Sequence, residues 1–261
     1  KPALGHFNGL AVPELRRVRP ARVVVIIDDM GLDPRRNRMA MALPGPLTLS
    51  FLPYGKNLQR AAAEAKRRGH EVLVHMPMEP LDAALDPGPE ALRADMSKGL
   101  LQQALLDNLG AFSGYVGINN HMGSRLTQDR RAMGWVMEIL QARGLLFVDS
   151  RTIENSVAED MAAQYNVDHA TRDVFLDHVE TPEAVAQSLR KLEDVAYRRG
   201  YAVAIGHPKD VTLNALRDWL PTLKEKDLTL VPVSAVVTRP VVVPVSASAQ
   251  EPPRLTAPSL P

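Results

Sequence analysis

Two adjacent carboxylates, Asp28 and Asp29, and three separated histidines, His75, His121 and His207, are residue types that metal-assisted hydrolysis uses. One carboxylate of a pair can bind a cation while the other takes a proton from water. A nearby cation keeps that second acid ionised, as a general base must be. An imidazole can ligate the metal or donate a proton near neutrality. Each of these residues, and a further acid at Asp149, follows closely on a short apolar run: residues 23–27, 72–74, 115–118, 145–148 and 201–205. If those runs are parallel strands of one barrel or sheet, their C-terminal ends share a face. Barrels of this class build their active sites there.

Direction limits what each residue can do. Adjacent strand residues point to opposite faces, so Asp28 and Asp29 reach one site only where the backbone turns, and Gly31 offers a turn. The competing reading makes Asp29 a cap of the next helix. His75 and Glu79 can share a site if a helical turn intervenes, but Pro77 and Pro80 oppose a regular helix there. Residues 119–125 offer Asn119, Asn120 and Arg125 as substrate-binding groups around His121, although a surface turn uses the same residue types. Asp149 either orients a catalytic histidine, binds metal or forms a structural ion pair. Arg151 beside it holds an acid or meets the substrate. Gly206 allows a bend or a close approach beside His207, which suits a general acid. Residues 171–177, bracketed by His169 and His178, read as a segment covering the site, with Asp177 near the substrate. His6 and His70 have no such role.

Helical patterns separate the apolar runs. Leu58, Ala61, Ala62 and Ala65 share one face of a helix over 57–68 that ends at Gly69. Helices are also expected over 34–43, 97–109, 127–143 with Thr127 as N-cap, 155–165, 181–199 with Pro182 in its first turn, and 213–220. Further strands are expected over 47–52, from Val167, and over 228–233. Residues 78–94, rich in Pro and Gly, read as a long irregular loop, a kind that often carries function. Seven or eight βα units without a Gly-rich phosphate loop predict an α/β fold, a distorted (β/α) barrel rather than a doubly wound sheet. The missing GxGxxG and Walker patterns argue against a nucleotide cofactor. Residues 1–21 read as an N-terminal linker, 22–237 as the barrel domain and 238–261 as a Pro-rich disordered tail.

The formal net charge is +1, so bulk electrostatics gives no reason to expect nucleic acid. The chain has no cysteine, which excludes disulfides and thiolate sites and leaves His and carboxylate ligands. No apolar stretch approaches the roughly 20 residues of a membrane span. A start at Lys1 is compatible with a removed signal peptide.

At these residues the chain resembles the divergent polysaccharide deacetylases, which share the NodB-type barrel of the carbohydrate esterases. Ile26-Ile27-Asp28-Asp29 is similar to that family's first motif, in which the first Asp is the base and the second binds metal. Residues 69–75, ending in His75, are similar to the strand leading into its second motif, whose first His binds metal. Glu79 stands where that motif ordinarily has another His. His207 matches the general-acid His of the last motif. Residues 119–125 occupy the place of an Arg- and Pro-rich third motif, with His121 as a replacement ligand. Asp149-Ser150-Arg151-Thr152 resembles the divergent branch.

The resemblance implies N-deacetylation of an envelope or extracellular polysaccharide, in the periplasm or outside the cell. A divalent cation, zinc in first place, would be held by Asp29, His75 and His121. Asp28 would be the base, His207 the acid and Asp149 a further catalytic carboxylate. The departures from the family's motifs motivate an alternative, a catalytically inactive barrel that binds glycan or a protein partner at the envelope. A third reading is another amide hydrolysis, on a peptide.

Overall fold

The computed structural model describes residues 20–240. Most of the linker over 1–21 and of the tail over 238–261 lies outside these residues. At their inner edges, Ala21 opens the first strand, and Thr238 bridges to His169.

Strand β1 (Ala21–Met30) is central to the sheet. Its Val23-Val24-Val25-Ile26-Ile27 run is buried on both faces, as an interior parallel strand requires. The others are β2 (Thr48–Phe51), β3 (Glu71–Met78), β4 (Gly117–Met122), β5 (Leu146–Asp149), β6 (His169–Thr171), β7 (Val174–Phe175), β8 (Tyr201–Gly206) and β9 (Leu228–Leu230). Their order is β6, β5, β4, β3, β2, β1, β8, β7, and β9 also pairs with β1. All of these pairings are parallel. Helices α1 (Pro34–Met41), α2 (Leu58–Arg67), α3 (Lys98–Leu109), α4 (Arg130–Arg143), α5 (Ala158–Gln164), α6 (Pro182–Arg199) and α7 (Asp210–Trp219) alternate with the strands, except that β7 follows β6 directly.

The sheet curls but its ladder stays open between β6 and β7. The chain itself crosses that seam. The Arg172 amide donates to Asp149 on the β5 side, at 3.0 Å, and the next amide, of Asp173, donates to Val203 of β8, at 2.8 Å. The expected site-covering segment is therefore strand β7 with its flanking turns.

Alternation sorts the strand residues onto two faces. Val23, Val25 and Ile27 pack outward in the large helix-facing core. Val24, Ile26, Leu73, Val148, Val203 and Ile205 form a smaller interior core with Val233 and Val236. Following the same two-residue period toward the C-terminal ends, Asp28, His75, Asn119, His121, Ser150 and His207 fall on the interior side. The barrel interior thus changes from apolar to polar at its C-terminal rim.

Several strands run further than the apolar runs suggest. β1 continues through Asp28, Asp29 and Met30, β3 through Pro77 to Met78, and β4 through Asn119 to Met122. Proline's fixed φ suits extended backbone as well as a turn; it removes only a ladder donor. At the entry of β4 a Cβ on Gly117 would lie 2.2 Å from the Leu146 carbonyl oxygen, so only glycine fits beside β5. Thr127 does not cap α4. Its hydroxyl donates to the Gly123 carbonyl at 2.8 Å, and Asp129, accepting from the Ala132 amide at 3.0 Å, is the cap. Asp33, Ser97 and Thr181 cap α1, α3 and α6 in the same way.

Candidate metal centre

Asp29, His75 and His121 bring one donor atom each into a single group, with all of these atoms within 4.8 Å of one another. Asp29 gets there by a backbone turn of its own. Its φ is 53°, in the left-handed region, and the β1–β2 register shifts between Ile27 and Met30. Gly31, at φ 109°, follows this turn. Asp28 keeps the strand's interior direction, and Asp29 is swung around beside it. Such conformations in a non-glycine residue cluster at functional sites.

The hydrogen-bond network determines which imidazole nitrogen faces the group. Asn119 Nδ2 donates to Asp28 Oδ1 at 2.8 Å and lies 3.1 Å from the Ser150 hydroxyl. Its Oδ1 accepts from the Ser50 hydroxyl and from His75 Nδ1, the latter at 3.0 Å. With Nδ1 as the donor, His75 Nε2 is left as the acceptor of the neutral ring. That atom stands 3.3 Å from Asp29 Oδ1 and 3.1 Å from His121 Nδ1, and His121 Nδ1 is 3.2 Å from the same carboxylate oxygen. Asp29 Oδ1 is buried without a hydrogen bond. Three acceptors facing one another need protons or a cation between them. This donor set, two imidazole nitrogens and a carboxylate oxygen without sulfur, fits zinc or a similar divalent ion.

Charge placement agrees. Burial pushes the Asp29 carboxyl up, but His121 and His75 outweigh it and hold Asp29 well below the usual carboxylate range. Burial raises Asp28, opposed by His75 and His207. Burial also lowers His75, yet Asp28 and Asp29 win and its proton affinity ends above the ordinary value.

His207 stands across the centre, with Nε2 3.8 Å from Asp29 Oδ2. Its Nδ1 donates to Asp177 Oδ1 at 2.9 Å. The other oxygen of Asp177 accepts from the His207 amide and the Thr212 hydroxyl, each at 2.7 Å. Burial lowers His207, but Asp177 and Asp28 raise it further, so the net direction is up. Where a Gly206 side chain would sit, Leu176 and Thr212 approach to 3.1–3.2 Å. Glycine there serves close packing around Asp177 and leaves no room for a ligand.

Several expected roles are corrected. Glu79 does not join His75, because extended backbone separates residues four apart by about 13 Å. Its carboxylate accepts from the Ala94 amide at 2.8 Å and pairs with Arg125 at 3.5 Å, tying down the long loop. Arg125 meets Glu79 through Nε alone, and its guanidinium stays more than half exposed. Asn119 and Asn120 are buried, and their amides are engaged; Asn120 accepts from the Ser150 amide and donates to the Met122 carbonyl. Asn119 is engaged in holding Asp28 and His75, and Asn120 in holding the backbone of Ser150 and Met122. Asp149 shares the outward direction of Phe147, accepts from the Arg151 amide at 2.7 Å and is raised by burial. Orientation of His207 falls to Asp177 instead. Arg151 keeps an exposed side chain with no hydrogen bond or ion pair among the described residues.

Ser50, Ser150 and Arg172 went unread as site residues, since each carries its role only through a partner on another strand. His70 is structural as expected. Its ring accepts from the Leu47 amide at 3.1 Å and contacts the Met41 carbonyl. His6 lies outside the described residues.

A curled, parallel α/β half-barrel is the NodB-like architecture of carbohydrate deacetylases. The chain belongs to the divergent polysaccharide deacetylase family, which it matches over residues 25–237. It is 33% identical over 223 residues to the uncharacterized protein YibQ of Escherichia coli K12, covering 85% of this chain and 69% of that protein. An uncharacterized protein from Agrobacterium tumefaciens C58 has a similar structure, with a TM-score of 0.81 at 29% identity over 84% of this chain and 90% of that one. The catalytic domain of a peptidoglycan N-acetylglucosamine deacetylase from Eubacterium rectale shares the fold, with a TM-score of 0.54 at 14% identity over 87% of this chain and 96% of that one.

Proposed function

We propose that this protein is a metal-dependent N-deacetylase of an acetylated envelope or extracellular polysaccharide, acting in the periplasm or outside the cell. One observation carries the reading: the unsatisfied, buried Asp29 Oδ1 facing His75 and His121, with Asp28 on one side and His207 on the other. Family and fold support hydrolase chemistry, and the family supports a glycan substrate.

Asp29, His75 and His121 would hold the cation, with zinc the proposed metal. When bound, a divalent cation supplies Lewis acidity that polarises a carbonyl and acidifies water. Asp28 accepts the proton of the water that attacks the acetamide carbonyl. Asn119 holds one Asp28 oxygen at 2.8 Å, leaving the other to take that proton. As the carbon–nitrogen bond breaks, His207 Nε2 donates a proton to the departing amine. Its raised proton affinity keeps that proton available near neutrality. The products are acetate and a free amino sugar.

The test is metal content of the purified chain together with acetate release from acetylated glycans. About one equivalent of zinc, lost in the His75→Ala, His121→Ala variant, with acetate release lost in Asp28→Asn, is the expected result. A chain that takes up no metal even after supplementation overturns the mechanism and leaves a barrel that grips glycan or a partner. Turnover of peptide amides without acetylated sugars would redirect the substrate assignment.

A further inference from the structure

The seam of the half-barrel carries two arginines that form no direct ion pair among the described residues. Arg172 lies where the chain crosses from β6 to β7. Its Nε donates to the Ser150 carbonyl at 2.7 Å and its Nη2 to the Arg151 carbonyl at 2.8 Å. These bonds fix the guanidinium plane and use two of its five N–H groups. The others have no hydrogen-bond partner among the described residues.

Two independent contacts put this guanidinium at the rim of the catalytic centre. It stands 5.2 Å over the Phe175 ring, and that ring is 5.4 Å from the His207 ring. On the other side, Ser150, whose carbonyl it holds, lies 3.1 Å by its hydroxyl from Asn119, the residue that holds Asp28. The acid and base sides of the site thus both reach Arg172.

Arg151 adds a second, exposed guanidinium, at a strand end with φ 49°. Burial and then the Arg151 charge push Arg172 below its ordinary value, and Asp149, Asp28 and Asp173 oppose them. Asp149 shares their neighbourhood, but no carboxylate among the described residues lies within ion-pair distance of either arginine. Arg125, Arg199 and Arg35, by contrast, are paired with Glu79, Asp173 and Asp210. A fixed, stacked guanidinium with spare donors is suited to a planar carboxylate.

We propose that Arg172 and Arg151 form a subsite for a carboxylate on the sugar next to the one being deacetylated, so that the substrate is an acidic, acetylated glycan. This rests on the deacetylase reading for the word substrate, but the subsite can be measured by binding alone. The probes are an N-acetylglucosamine tetrasaccharide, which is neutral, and a hyaluronan tetrasaccharide, which carries alternate glucuronates. Calorimetry on the zinc-supplemented full chain is expected to give about tenfold tighter binding of the acidic probe, the scale of one charge-assisted contact. The preference should shrink as salt is raised.

It should fall several-fold in Arg151→Gln, whose exposed side chain makes no hydrogen bond or ion pair among the described residues, and vanish in Arg172→Gln. Arg172→Lys, which keeps charge but loses the planar fork, should recover part of it. Equal binding of the two probes by the unaltered chain overturns the subsite, as does failure to bind either. A preference that survives in Arg151→Gln and in a folded Arg172→Gln also overturns it and leaves Arg172 a clamp on the seam. Acetate release separates the two claims. Release from the neutral probe without acidic preference sinks the subsite and leaves the deacetylase. Preference without release from either probe does the reverse.

Discussion

Asn119 Oδ1 lies 3.0 Å from His75 Nδ1, and this contact determines which nitrogen of His75 faces Asp29 and His121. The same amide holds Asp28 at 2.8 Å through its other end. One buried side chain therefore orients both a proposed metal ligand and the proposed base.

Replacing Asn119 by Leu should weaken zinc binding by about 10- to 100-fold, the usual effect of losing an outer partner of a metal-bound histidine. It should also destabilise the fold by about 1–3 kcal/mol, because buried polar atoms on Asp28 and His75 lose their partner. Calorimetric zinc titration and chemical denaturation measure the two effects. Unchanged zinc affinity in a folded variant would remove Asn119 from the network.

Asp28→Asn should keep zinc and lose turnover by several orders of magnitude. Asp29→Asn should lose zinc. The neighbours part in this way because the left-handed turn at Asp29 aims only that carboxylate between the two imidazoles. Metal content of the two variants after gel filtration decides it. Zinc loss in Asp28→Asn would place Asp28 among the ligands.

Zinc binding should stabilise the protein and weaken at low pH. At a free concentration 1,000 times the dissociation constant, the gain is about 4 kcal/mol. Asp28 and Asp29, against burial, raise the proton affinity of His75, so protons compete with zinc to higher pH than for an ordinary imidazole. A chelator should therefore lower the melting temperature, and by more at pH 8 than at pH 5. A chelator effect equal at both values would contradict the ligand set.

The Asp177–His207 pair should set the alkaline limb of activity. His207 is raised and Asp177 lowered relative to their ordinary values. Asp177→Asn removes the charge that holds the His207 proton, so the fall in kcat/KM with rising pH should begin at lower pH. Stability follows by linkage. The Asp177 contribution is present above about pH 4 and lost below it. The His207 contribution is complete below about pH 6.5 and lost as pH rises through its raised folded value. The stability gap between wild type and Asp177→Asn should thus be widest near pH 5–6 in metal-free protein. An unmoved alkaline limb would assign the proton donor elsewhere.

The strands were legible because both faces of the sheet are buried. Residues 23–27 and 201–205 have to be near-continuously apolar to sit between helices and barrel interior. Helix ends were legible where a local cap marks them, at Ser97 and Thr181, and misread at Thr127, where two hydroxyl- or carboxylate-bearing residues compete within three positions.

By itself, then, the sequence determined the parallel α/β architecture and placed Asp28, Asp29, His75, His121 and His207 at strand ends. Apolar period and strand-end chemistry are local properties. Tertiary structure alone decided the partners. Asp177 orients His207 across 30 residues, and Asn119 bridges Asp28 and His75 from 91 and 44 residues away. The same holds for directions: Asp149 turns outward with Phe147, and Glu79 is carried away from His75 by extended backbone. A hydrogen bond between side chains on different strands depends on register and curl, which no stretch of sequence encodes on its own.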